Sequence, residues 1–397
     1  MVLLSERLRA LAPSATLAMS QKSSELKAQG IDVINLSVGE PDFNTPQHIK
    51  DAAHKAIDDN FSFYSPVPGY LSLRKAICGK LLRENGLTYQ PEQIVCSNGA
   101  KQSVCNVLMA LVSPGDEVII PAPYWVSYPQ MVTLAQGTSV YISTSIEQDF
   151  KITPEQLQQV ITPNTKVLIL CSPSNPTGSV YTHDELRAIA AVLEKYPNIY
   201  VISDEIYEHI NYVGSHASLA QFPAIHDRVV IVNGVSKAYA MTGWRLGWMA
   251  APLAIAKACN TLQGQYTSGP SSIAQKAAEA AYGDNQTCVE EMRLAFLRRR
   301  NLVLQLIGEI PGLQINNPQG AFYVFPRCSA FYGKSYNGKT ITNSNDLAMF
   351  LLEVGHVACV GGDAFGAPDY IRMSYATADE TIIEAFRRIK QALALLQ

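Results

Sequence analysis

The chain has 397 residues, 47% hydrophobic and 16% charged, a balance that excludes charge-driven disorder and predicts a large domain beside a smaller one. A formal charge of -3 supplies no cationic excess to replace the counterions of a nucleic acid, and no apolar stretch approaches the ~20 residues of a membrane span. The one basic cluster, Arg298-Arg299-Arg300, is expected to be a solvated helix face.

In chain order, Met1 to Arg7 has no basic leader and no apolar core, which implies a cytoplasmic location. Residues 1-45 contain no strong strand and are expected to pack on a second domain. Ile94-Val95-Cys96 reads as a strand, and Gly99-Ala100-Lys101 opens the helix after it. Val118 to Ile120, Val167 to Leu170, Tyr200 to Ile202 and Val229 to Val232 are short, nearly all-apolar runs, the pattern of strands buried on both faces. Between them, Pro154 to Val160 and Asp184 to Glu194 have helical spacing, and Thr182 with Glu185 forms a capping box. This alternation predicts an α/β fold, a mostly parallel central sheet flanked by helices. Beyond residue 286 an amphipathic stretch from Glu290 to Ile307, the run Gly320 to Phe325 and a helix from Asp379 to Leu396 suggest a smaller α+β domain. The expected division is 46-286 for the large domain, with 1-45 and 287-397 forming the small one.

Eight cysteines lie scattered without a C-x-x-C pair, as expected of reduced thiols, and the seven histidines show no ligand spacing, so no metal is expected. His209 is expected to pack rather than react.

Ligands of open parallel sheets bind beyond the carboxyl ends of the strands. There the sequence places Ser174-Asn175-Pro176-Thr177-Gly178, Asp204-Glu205-Ile206-Tyr207 and Ser236-Lys237, with Arg245 following Lys237. A lysine for a Schiff base, a carboxylate for a pyridinium nitrogen and a Ser/Arg pair for a phosphate together suit pyridoxal 5'-phosphate. No glycine-rich turn of the kind a nicotinamide dehydrogenase needs occurs after a first strand.

Over nearly its whole length the chain resembles the fold-type I pyridoxal-phosphate enzymes, and within them the class I aminotransferases, most closely bacterial aspartate aminotransferases of the thermophile and rhizobial type. The resemblance rests on Pro13-Ser14-Ala15-Thr16, Gly39-Glu40-Pro41-Asp42-Phe43, Pro121 to Pro129, Ser174 to Gly178, Ser203 to His209, Ser236 to Arg245 and Arg372-Met373-Ser374-Tyr375-Ala376, in order. It implies that Lys237 bonds the cofactor aldehyde and then carries a proton at the substrate Cα. It implies further that Asp204 partners the ring nitrogen, that Asn175 and Tyr207 hold the ring oxygen and that Trp125 stacks on the ring. Gly99, Ala100, Lys101, Ser236 and Arg245 would surround the phosphate, joined by Tyr64 from a neighbouring subunit, so a homodimer is implied. Arg372 would grip the substrate α-carboxylate, with Asn175 and Trp125 beside it and the backbone of Gly39 closing over it. Thr16 and Lys101 would meet an acidic side chain.

The expected activity is therefore reversible amino transfer from L-aspartate to 2-oxoglutarate. An aromatic or alanine aminotransferase would share every cofactor contact, a pyridoxal-phosphate lyase is a more distant alternative, and a cofactor-binding transcription regulator would need an added basic domain. Relatives that also use prephenate carry a lysine just before Pro-Ser-Ala-Thr, where this chain has Ala12, so prephenate is expected to be a poor substrate.

Overall fold

The computed structural model describes residues 5–283 and 286–397. Seven strands form the central sheet: Ile94–Ser97 (β1), Glu117–Ala122 (β2), Thr138–Ser143 (β3), Thr165–Cys171 (β4), Tyr200–Asp204 (β5), Val229–Gly234 (β6) and Gly247–Ala250 (β7). Their spatial order is β1-β7-β6-β5-β4-β2-β3, with β7 alone antiparallel to its neighbours. Register is set by two-sided burial. Val167 and Ile169 enter the apolar cluster on one face, together with Ile202, Val230 and Val232, while Leu168, Leu170, Val201 and Ile231 enter the cluster on the other. With apolar residues required on both sides, a one-residue slip would exchange the two sets, each shaped for its own helices.

Helices start where the side chains dictate. Thr182 accepts a hydrogen bond from the Glu185 backbone N–H at 3.2 Å, and Glu185 accepts one from the Thr182 N–H at 2.7 Å, closing the expected capping box on helix His183–Glu194. Helix Pro154–Val160 has the equivalent box from Thr153 and Gln156.

A third apolar cluster gathers Met19, Val33 and Leu36 with Phe296, Val303, Met373, Phe386 and Ile389. Ile34–Asn35 pairs in parallel with Val357–Ala358, so the N-terminal segment joins the chain beyond residue 286 rather than the seven-stranded sheet. A three-stranded antiparallel sheet lies in this part, with Ile371–Ser374 between Val360–Gly361 and Tyr323–Val324. The last helix spans Asp379–Leu393, three residues shorter than expected. Its final turn tightens through Leu396 N–H to Leu393 O, and Gln397 exchanges backbone hydrogen bonds with Ser335.

The arginine triplet departs from expectation at its centre. Arg299 is only 6% exposed and clasps the Asp42 carboxylate with both terminal nitrogens, at 2.7 and 2.8 Å. Arg298 pairs with Asp379, and Arg300 donates to Asn317 Oδ1 and Pro318 O. Helix Thr287–Gly308 therefore uses this stretch to bind three other segments, while the Arg298 side chain, 62% exposed, still faces water.

Candidate active site

The carboxyl ends of β4, β5 and β6 open into a cleft of about 480 Å³ that reaches across to Arg372 and Tyr323. β6 ends in Gly234, and the turn after it delivers Ser236 and Lys237 to the cleft. Lys237 Nζ donates to the Gly39 carbonyl at 2.6 Å. Burial pulls its pKa down to about 8; Arg372 and Arg245 act in the same direction, against Glu40 and Asp204. A substantial neutral fraction near physiological pH is what a nucleophilic amine requires.

β5 ends in Asp204, which is 4% exposed. Tyr128 Oη donates to its Oδ2 at 2.6 Å and the Ile206 N–H to its Oδ1 at 3.3 Å. Burial pushes the Asp204 carboxyl up to about 6, opposed by these two hydrogen bonds. No helix follows Asp204, so capping does not account for it; residues 206–209 form a turn. That turn faces two ways. Asp204 and Tyr207 line the cleft, whereas Glu205 and Glu208 point behind it. Glu205 accepts from Ser203 and Ser218 hydroxyls at 2.7 and 2.5 Å, and Glu208 contacts the wholly buried Lys80. Burial alone would raise Glu208, but Lys80 and His209 hold it at about 2. His209 sits in this supporting layer, 2.9 Å from Glu84.

At one end the site is built for an anion. Helix Ala100–Leu111 begins at Gly99, whose φ of 84° lies in the left-handed region. A Cβ there would overlap the guanidinium of Arg245, which donates to Asn98 O at 3.1 Å and Thr242 O at 2.9 Å. Glycine thus lets a fixed cation sit beside the free amides of a helix N-terminus, with Ser236 lining the same cleft. Lys101 Nζ lies 5.0 Å from the Trp125 ring centre, and burial, then Arg245, lower its pKa.

At the other end stands Arg372, 2% exposed, on the middle strand of the small sheet. Nη1 donates to Asn175 Oδ1 at 3.1 Å and Nη2 to Ser37 O at 2.5 Å, both neutral acceptors, while buried Nε has no hydrogen-bond partner. The guanidinium is held between the rings of Tyr323 and Phe365, 4.7 and 4.9 Å away. A buried cation with neutral acceptors and a free donor calls for an anionic ligand. Gly39 closes the cleft above it, where a Cβ would overlap the Tyr323 hydroxyl.

Of the residues expected from the sequence, Thr16, Gly39, Ala100, Lys101, Trp125, Asn175, Asp204, Tyr207, Ser236, Lys237, Arg245 and Arg372 all line this one cleft. Gly99 abuts it through Arg245. Tyr64 does not line it, and its side chain is entirely exposed. Two tyrosines stand out among the lining residues that carried no assigned role. Tyr128 lies inside the Pro121 to Pro129 motif, and Tyr323, whose hydroxyl is 2.8 Å from that of Tyr207, lies in the Gly320 to Phe325 run. Both are tyrosines in apolar stretches, and sequence alone does not separate a tyrosine that supports a site from one that fills a core.

An α/β sheet that brings a depressed-pKa lysine, a buried carboxylate and two separate anion-binding ends to one rim defines a class of lysine-centred group-transfer enzyme. The chain belongs to the aminotransferase class I and II family, whose model matches residues 31–389. It is 49% identical over 393 residues to the aspartate/prephenate aminotransferase of Cereibacter sphaeroides, covering 98% of each chain. Among solved structures it is similar to the aspartate aminotransferase of Rhizobium meliloti, with TM-score 0.97, 41% identity and full coverage of both chains. The Thermus thermophilus aspartate aminotransferase with maleate gives TM-score 0.93 at 41% identity, covering 99% of this chain and 100% of that one.

Proposed function

We propose that this protein is an aspartate aminotransferase that uses pyridoxal 5'-phosphate to move the amino group of L-aspartate reversibly to 2-oxoglutarate. The observation that carries the reading is the placing of Lys237 between Asp204 and Arg372 in a cleft with an anion-binding helix start at one end. The residues fit that cofactor: Gly99 admits Arg245 to the helix start, Asp204 is a buried carboxylate in need of a cation, and Arg372 keeps an unpartnered donor for a substrate. When bound, pyridoxal phosphate supplies an aldehyde for the amino nitrogen and a protonated ring that accepts the electron pair left at the substrate Cα.

The chain's own groups do the rest. Lys237 provides the amine that holds the cofactor, and as base and then acid it moves a proton at the substrate Cα. Asp204, kept ionised with help from Tyr128, holds a proton on the ring nitrogen. Asn175 and Tyr207 serve the ring oxygen, Trp125 covers the ring face, and Gly99, Ala100, Lys101, Ser236 and Arg245 form the phosphate end. Arg372 takes the α-carboxylate as a planar fork, and Lys101 with Thr16 receives the side-chain carboxylate. Tyr64, unengaged in its own chain, serves the site of a second copy, which makes the working unit a homodimer. We read 46-286 as the cofactor-binding domain, with 1-45 and 287-397 as the substrate-closing one. All eight cysteines are unpaired, which supports a cytoplasmic setting.

Ala12 supplies no charge ahead of Ser14; its backbone N–H is bound by Gln130 Oε1 at 2.9 Å. Prephenate is accordingly read as a poor substrate, although the Cereibacter relative is named for it. A coupled assay with aspartate and 2-oxoglutarate tests the reading, and a donor panel separates it from aromatic and alanine aminotransferases. Oxaloacetate and glutamate formed in equal amounts are expected; release of ammonia without a new amino acid would indicate a lyase, and efficient prephenate turnover would refute the role given to Ala12.

A further inference from the structure

Residues 37–45 cross the mouth of the cleft, and their backbone meets the two cations a substrate must reach. The Ser37 carbonyl accepts from Arg372 Nη2 at 2.5 Å and the Gly39 carbonyl from Lys237 Nζ at 2.6 Å. Both ends of the segment are tied. Leu36 is bound between Ala358 and Ser374 through backbone hydrogen bonds of 2.9 and 2.8 Å. Thr45 Oγ1 donates to Ala240 O at 2.7 Å and accepts from Trp244 Nε1 at 3.1 Å.

Between these ties the segment is held by side chains. Glu40 meets the Thr242 hydroxyl, and Asp42 is clasped by Arg299 at 2.7 and 2.8 Å. The Arg299 side chain is 7% exposed against 28% for Asp42, so the arginine is the fixed member of the pair. It is immobilised by the rings of Phe43 and Phe296, 5.0 and 5.7 Å from its guanidinium carbon, and by Asp379 at 3.5 Å. A two-pronged fork fixes orientation as well as distance, which a single contact does not. A carboxylate arriving at the free Nε of Arg372 crowds the Ser37 carbonyl held by the neighbouring Nη2, so the segment has to adjust and then settle over the bound acid. How far it yields is limited by its anchors on either side, Leu36 before it and the Asp42 clasp after it.

We propose that Asp42 and Arg299 are positioning residues for the substrate: their clasp sets the height of residues 37–41 above Arg372 and Lys237, and through it the affinity for the acid. This rests on the aminotransferase reading. Asp204 ends β5 and Lys237 follows β6, so the sheet and not the segment carries the reacting groups, and releasing the clasp weakens binding more than it slows turnover.

The test compares wild type, Asp42→Ala, Arg299→Met and the double variant, all loaded with pyridoxal phosphate. Maleate affinity is measured by calorimetry, KM and kcat for aspartate by assay, and the cofactor's visible absorption by spectroscopy. Asp42→Ala is expected to weaken maleate and raise KM about tenfold, leaving kcat within about twofold and the absorption band unchanged, with the double variant little worse than either single one. Asp42 lies on an exposed loop, so this variant remains informative even where Arg299→Met loses stability. Unchanged maleate affinity in Asp42→Ala overturns the clasp and leaves the aminotransferase reading intact, as does a fall in kcat with KM unmoved. A wild-type protein that binds no maleate overturns both.

Discussion

Burial and hydrogen bonding act against each other on the Asp204 carboxyl, and burial wins, holding it at about 6 without a bound cation. Between about pH 4 and pH 6 the folded chain therefore keeps a proton that the unfolded chain has released, so this group's contribution to stability falls as pH rises through that window. Asp204→Asn removes the titration. The cofactor-free variant should be the more stable at pH 7, by about 3 kcal/mol as an order of magnitude, with the gap closing toward pH 4. Denaturant unfolding of both proteins at several pH values checks this, and a gap that ignores pH would contradict it. Tyr128→Phe acts oppositely on the same group. Loss of the 2.6 Å hydrogen bond lets the Asp204 pKa rise further, so the acid limb of the kcat/KM profile should move up by about one pH unit. An unmoved limb would mean that Tyr128 only fills space.

Among the elements, five of the seven strands of the central sheet follow from their apolar runs. A run such as Val167 to Leu170 has no polar face to turn to water, so only a doubly covered position satisfies it. Ile202, fully buried on β5 two residues before Asp204, should cost about 2–5 kcal/mol when changed to Ala, read from denaturant midpoints. Such a variant should also lose cofactor affinity, because the strand carries the carboxylate. The same logic explains what stayed hidden. β3, Thr138–Ser143, lies at the sheet edge with only Ile142 buried and lacks the all-apolar signal. Arg299 belongs to a triplet whose charge predicts solvation, yet its partner Asp42 lies more than two hundred residues away in sequence. Long-range pairing of polar side chains leaves no periodicity, and the buried Lys80–Glu208 contact behind the cleft is invisible in sequence for the same reason. Motif residues at strand ends were legible because topology fixes where those ends point.

At the scale of the molecule, Tyr64 and its neighbour Phe63, 100% and 81% exposed, leave their rings in water within one chain. If Tyr64 completes the phosphate end of a second copy, mixing Tyr64→Ala with Lys237→Ala protein should restore activity. In each hybrid dimer one site carries both defects and the other carries neither. Recovery should follow the fraction of hybrid seen in sedimentation, and inactivity of a verified hybrid would show that each chain builds its site alone. The most direct test of the whole account is the absorption of purified protein given pyridoxal phosphate. Wild type should develop a visible band that aspartate abolishes and 2-oxoglutarate restores, and Lys237→Ala should lose that cycle, with turnover falling by on the order of 10²–10⁴-fold or more. A folded wild type that takes up no cofactor, or the same cycle in Lys237→Ala, would contradict it.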